Sequence, residues 1–150
     1  MSHASGIRPS SELTSTFNSL NSNLRALKVG IENESLILKE TIKVVGSWNS
    51  DLALIQCWFE SSVPCFVLYL LDSFNIPQLV DNKWINEKSE SNRWMLFVYI
   101  PDTSKVRDKM IYASSKSTLL KDLGDSMFAV SISGSIKSDF SDEGIKVLLI

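Results

Sequence analysis

The chain has 150 residues, 44% of them apolar and 21% charged, with a formal net charge of −2. That balance points to a single globular domain, residues 1–150, large enough to bury a core. It argues against nucleic acid as the main ligand, because neutralising phosphates needs a basic surface. The longest apolar runs, "CFVLYLL" at 65–71 and "MLFVYI" at 95–100, fall well short of the about 20 residues that span a bilayer. The first residues, "MSHASGIRPSSE", carry no charged-then-apolar leader. A cytoplasmic protein is expected.

Pro9, Ser10 and Ser11 precede Glu12, after which Leu13, Phe17 and Leu20 recur on one helical face. The polar cluster at 21–23 ends that helix. Residues 24–45 hold two β-rich runs around "ENES", which reads as a hairpin. Asn49 or Ser50 is placed to start a helix through "DLALIQCWFESS", and Pro64 stops it. "CFVLYLLD" (65–72) and "RWMLFVYI" (93–100) are nearly continuous apolar runs, as expected of central strands covered on both faces. The polar stretch between them, about 73–92, is long for a connection and is read as a loop insertion. Pro101 ends the second run. Thr103 or Ser104 is placed to cap a long helix, 103–123, which Gly124 ends. "SMFAVSISG" (126–134) alternates like a strand, and "DFSDEGIKVLLI" (139–150) reads as a short final helix. Helices alternating with strands in this way imply an α+β fold, a central mixed sheet with helices on both faces.

Catalytic chemistry finds little to work with. The one histidine is His3, in the N-terminal segment, which removes Ser-His-Asp and Cys-His arrangements and His-rich metal sites. Cys57 and Cys65 fit no metal or redox spacing and are expected to be reduced core thiols. The carboxylates at 32, 34 and 40, at 122 and 125, and at 139, 142 and 143 each adjoin a turn or a helix end, where solvation and capping account for them. No glycine-rich loop opens a helix, so nucleotide binding by a backbone cradle is unsupported. Neither an enzyme nor a cofactor is expected.

The long helix is the informative element, because it has two apolar sides. With Val106 at zero, Met110 falls at about 40°, Ser117 at about 20°, Ala113 at about 340° and Leu120 at about 320°. Tyr112, Leu119 and Leu123 form a second face at about 220–260°. Arg107, Ser114 and Lys121 border the first face on one flank, at about 60–100°, and Lys109 and Lys116 on the other, at about 280–300°. The bulky second face suits a sheet. The narrower first face, rimmed by cations, has the anatomy of a protein interface; the alternative is that both faces are buried and the lysines extend outward along them.

The stretch "PDTSKVRDKMIYASSKSTLL" resembles the long actin-binding helix of the actin-depolymerising factor/cofilin homology (ADF-H) family. "MSHASGI", "KVGIENESLIL", "PCFVLYLLDSFN" and the terminal "GIKVLLI" more closely resemble the first such domain of the twinfilin family. The resemblance implies an ADF/cofilin-like (gelsolin-like) fold and binding of actin without catalysis. It implies actin contacts at Ser5, Gly6 and Ile7 in the N-terminal lead, and at Val106, Arg107, Lys109, Met110 and Ser114 on the helix. Ser5 falls where cofilins carry a regulatory phosphoserine. Lys116 and Lys121 become candidates for phosphoinositide or secondary actin contacts. Downstream the pattern departs, with Ser117 in place of an acidic residue and Leu120–Lys121 in place of a basic pair. The expectation is therefore monomer binding, with a preference for ADP-actin and control of assembly by sequestration or at barbed ends. Cofilin-like filament binding and severing is the alternative. The family places such a protein in the actin cytoskeleton, at cortical patches, with capping protein as a further partner in a full twinfilin.

Overall fold

A computed structural model describes residues 7–18, 24–46, 48–70, 94–124, 128–141 and 145. The insertion expected at about 73–92, Ser5, Gly6 and most of the expected final helix lie outside the described residues.

Strand β1 (Arg8–Pro9) leads into helix α1 (Ser11–Phe17), followed by the strands β2 (Leu24–Glu32) and β3 (Ser35–Lys43). A short α2 (Trp48–Asp51) continues as a 3-10 segment over Leu52–Trp58. Strands β4 (Cys65–Leu70) and β5 (Trp94–Tyr99), helix α3 (Val106–Leu123), strand β6 (Phe128–Gly134) and a 3-10 turn (Lys137–Phe140) complete the order. Among the described residues the strands form one six-stranded sheet in the order β1-β3-β2-β4-β5-β6. The four inner strands pair antiparallel, and β1 and β6 join the edges in parallel. The sheet is mixed, as the sequence implies.

Strand alternation divides the core into two layers. Cys65, Val67, Tyr69, Met95, Phe97 and Tyr99 face one side, where Leu52, Ile55, Trp58, Phe59 and Phe140 cover them. Phe66, Leu68, Leu96 and Val98 face the other, beneath Leu13 and Phe17 of α1 and Tyr112, Leu119 and Leu123 of α3. The β2–β3 turn is Asn33–Glu34, both at positive φ (50° and 64°), the backbone of the tight two-residue hairpin.

Three local expectations are corrected. The helix expected from Asn49 is one α turn followed by a 3-10 segment. Its buried residues Leu52, Ile55 and Trp58 stand three apart, so a three-residue turn keeps all of them on the sheet. Asp51, at the junction, serves Arg25 and does not cap. The long helix is capped by neither Thr103 nor Ser104. Lys105 is the N-cap residue, with no side-chain bond to the helix; Thr103 accepts a bond from the Ser62 hydroxyl, and the Ser104 hydroxyl is buried without a partner. Of the two cysteines only Cys65 is a core thiol, its pKa pushed up to about 12 by burial; Cys57 is exposed.

One buried ion pair ties the first layer together. The Arg25 side chain has no exposure and that of Asp51 only 2%. Arg25 donates to Asp51 at 2.8 Å, to the Leu70 carbonyl at 2.7 Å and to the Gly46 carbonyl at 2.9 Å. Asp51 also accepts the backbone N–H groups of Val45 and Gly46. Burial by itself would raise the Asp51 carboxyl, but those N–H groups and the Arg25 guanidinium outweigh it and hold the pKa below its ordinary value.

Because the folded pKa is depressed, this pair's contribution is complete above about pH 4 and is lost as pH falls through the lowered value. Asp51→Asn leaves Arg25 facing a neutral partner and should destabilise the fold by about 3–5 kcal/mol at neutral pH. Urea unfolding should also show a shallower decline of its stability with acid. At Gly134 an added Cβ would sit 2.6 Å from the Asp139 Cβ and 2.9 Å from the Phe140 ring. Gly134→Ala should therefore lower stability by about 1–3 kcal/mol, read by thermal unfolding.

Candidate functional site

Helix α3 lies on the sheet through one stripe. Tyr112, Ser115, Leu119 and Leu123 are buried, spaced for a single helical face. Tyr112 does more than pack. Its hydroxyl accepts the Ile31 backbone N–H at 2.9 Å, which ties α3 to the end of β2, and its ring lies 5.4 Å from that of Phe66. Burial raises the phenol pKa, so the group stays neutral.

The opposite stripe has nothing over it among the described residues. Val106 is 71% exposed and Met110 66%, the largest exposures among the large apolar side chains on this helix. Ala113, Ser114 and Ser117 continue the stripe and are exposed. The Ser114 hydroxyl donates to the Ile111 carbonyl at 3.1 Å, so it lies down on the helix and leaves the surface low. Arg107 and Lys121 are exposed on one flank, while Lys109 and Lys116 are half-buried on the other. Leu120, assigned by the wheel to the outward face, is half-buried and packs on the core. Lys116 and Ala113 also border a cleft of about 380 Å³ between α3 and the edge strand β6, with Val98, Ile100, Ser133 and Gly134 as the remaining walls.

The N-terminal lead divides. Ile7 is 5% exposed and packs with α1 and α3, so the structure assigns it to the core and not to the surface. Ser5 and Gly6 lie outside the described residues. Arg8, to which the sequence reading gave no role, forms an ion pair with Asp122 near the end of α3. Among the described residues no three His, Cys, Asp or Glu side chains converge as metal ligands, and no helix is long and apolar enough to cross a membrane.

The comparisons with known proteins agree on one family. The family described as cofilin/tropomyosin-type actin-binding protein matches residues 6–149. A twinfilin from Dictyostelium discoideum is 35% identical over 145 residues, covering 96% of this chain and 40% of the relative. A twinfilin from Aedes aegypti is 35% identical over 146 residues, covering 96% of this chain and 39% of the relative. The chain thus spans about 40% of the length of the curated relatives it matches. Among solved structures, that of Eh twinfilin superposes with a TM-score of 0.77 at 28% identity, covering 95% of this chain and 96% of that one. Plasmodium berghei actin depolymerization factor 2 superposes at 0.75 with 19% identity and 98% coverage of both chains, a likeness of fold.

The Tyr112 hydroxyl should matter to the fold more than to the exposed stripe. Tyr112→Phe is expected to lose about 1 kcal/mol in urea unfolding and to speed hydrogen exchange at the Ile31 amide.

Proposed function

The chain belongs to the cofilin/tropomyosin-type actin-binding protein family, and from that premise we propose that it binds actin monomers through the exposed stripe of α3 together with its N-terminal lead. The observation that carries this reading is the pair Val106 and Met110. Both are large, apolar and exposed, on a helix whose other stripe is fully occupied by the sheet. A protruding apolar centre bordered by cations fits a cleft with apolar walls and an acidic rim.

Val106 and Met110 supply the apolar contact, Arg107 and Lys109 the charged one, and Ser114 a low surface that lets the partner approach. Ser5 and Gly6 contribute from the lead. Lys116 and Lys121 are assigned secondary contacts with actin or with phosphoinositide headgroups. ADP-loaded monomers are the preferred form, and the outcome is sequestration or barbed-end control. Filament severing is the lesser reading, since the stretch downstream of Lys116 is poor in cations. Its sites of action are the cytoplasm and cortical actin patches. Where a second domain of this kind is attached, capping protein joins the assembly. No catalytic step is assigned.

Titration of labelled ADP- and ATP-actin monomers tests this directly. Binding of ADP-actin is expected in the micromolar range or tighter, and no binding to either form at concentrations on the order of tens of micromolar would overturn the reading. Arg107→Ala combined with Lys109→Ala should weaken binding by about 2–5 kcal/mol, with an unchanged thermal midpoint. Co-sedimentation and severing seen by microscopy would favour the filament alternative.

A further inference from the structure

The two edges of the sheet are guarded unequally. Strand β1 has two residues, one of them Pro9, and so offers little to a further strand. At the other edge β6 runs over seven residues, "FAVSISG", with no charge and no proline. No strand lies beyond it among the described residues. The Ile100 N–H donates to the Gly134 carbonyl at 3.0 Å, which turns the polar groups of Gly134 towards β5. Backbone groups alternate between the two edges of a strand, so those of Ser131 and Ser133 point away from β5.

Beside this edge lies the cleft under α3, of about 380 Å³. Its origin is a difference in size between neighbouring strands. The register sets Ser131 beside Leu96 and Ser133 beside Val98. Leu96 and Val98 pack beneath α3, whereas the serines fill much less of the same layer. Val98, Ile100 and Ala113 leave the cleft apolar, and Lys116 supplies a cation at its border. No ion pair engages Lys116 among the described residues. A strand added to β6 would lie about 4.8 Å further out, with every second side chain on the α3 side.

We propose that the β6 edge and this cleft bind an extended segment of a partner protein, which joins the sheet as a seventh strand. The backbone groups of Ser131 and Ser133 hold its main chain. Its side chains on the α3 side are apolar against Val98, Ile100 and Ala113, and acidic at Lys116. The Lys116 cation favours such a segment over a second copy of this chain, which would place only an uncharged β6 against it. Neither Val106 nor Met110 borders the cleft, so this binding is independent of the actin-binding reading.

Two labelled peptides of about eight residues test this, by fluorescence anisotropy and by mapping amide chemical shifts on the whole chain. In the first, Thr takes every second place while Val and Glu alternate in the others; in the second, Lys replaces Glu. The first should bind with a dissociation constant on the order of 100 μM, shift the Ser131 and Ser133 amides most, and weaken with added salt. The second should bind more weakly by about fivefold or more. Ser133→Pro removes an outward N–H without touching the β5 ladder, and should weaken the first peptide by about tenfold while the rest of the amide spectrum is retained. Should that variant fail to fold, Lys116→Glu keeps the test, because it should reverse the preference between the two peptides. No binding of the first peptide at about 1 mM would overturn the proposal, and so would equal binding of both. A dimer of the unaltered chain seen by sedimentation and lost in Ser133→Pro would overturn it too, by making the occupant a second copy.

Discussion

The central strands β4 and β5 are buried on both faces, and that constraint determines where the other elements stand. Every residue from Cys65 to Tyr69 and from Met95 to Tyr99 is withdrawn from water. Such strands need a covering layer on each side. The 3-10 segment and the turn at Phe140 supply one layer, with Phe59, Tyr99 and Phe140 in mutual ring contact. Helices α1 and α3 supply the other. Because α3 covers its share of sheet through a single stripe, its remaining circumference is left to exposed groups, apolar as well as polar. The exposed Val106 and Met110 follow from the sheet's demand on the opposite side of the same helix.

Two charged groups are accommodated within this apolar frame by different means. Arg25 is completely buried, and its guanidinium donates to the Asp51 carboxylate and to the carbonyls of Gly46 and Leu70. It links β2 to the end of β4 and to the start of the covering segment, so the first layer cannot shift without leaving a charge unpaired. Lys28 solves a similar problem by reaching outward. Its side chain is 7% exposed, yet its ammonium meets Glu60, itself 55% exposed, at 2.9 Å. The aliphatic stem fills the layer while the charge ends near water.

The parts of the fold that were legible in the sequence are those with a sustained period. The apolar runs of β4 and β5, the hairpin around Asn33–Glu34, and the two sides of α3 were all visible, because six or more residues repeated the same signal. Short elements were not. β1 has only two residues, one of them Pro9, and exists through its parallel pairing with β3. The 3-10 segment is marked only by Leu52, Ile55 and Trp58, and a spacing of three also occurs on an α-helical face, so these few residues do not distinguish the two. Ile7 is a lone apolar residue in a polar lead, so nothing local separates a core anchor from a surface contact. The Arg8–Asp122 pair joins residues 114 apart in the sequence and leaves no local trace at either.

The candidate site was legible for a related reason. The helical wheel separates a core stripe from an outward one wherever both are well populated, and only Leu120, on the border between them, changed sides. What the wheel cannot supply is the relation of that helix to the rest of the surface. The hydrogen bond from the Ile31 N–H to the Tyr112 hydroxyl fixes α3 from beneath, two residues beyond Met110 in the chain. The outward stripe is therefore carried on a helix with both packing and polar attachment to the sheet. A rigid mount matters for a surface this narrow, because a few ångströms of rotation would exchange Val106 and Met110 for their charged neighbours. Tyr112 is thus first a part of the core, and it orients the outward stripe only by seating the whole helix.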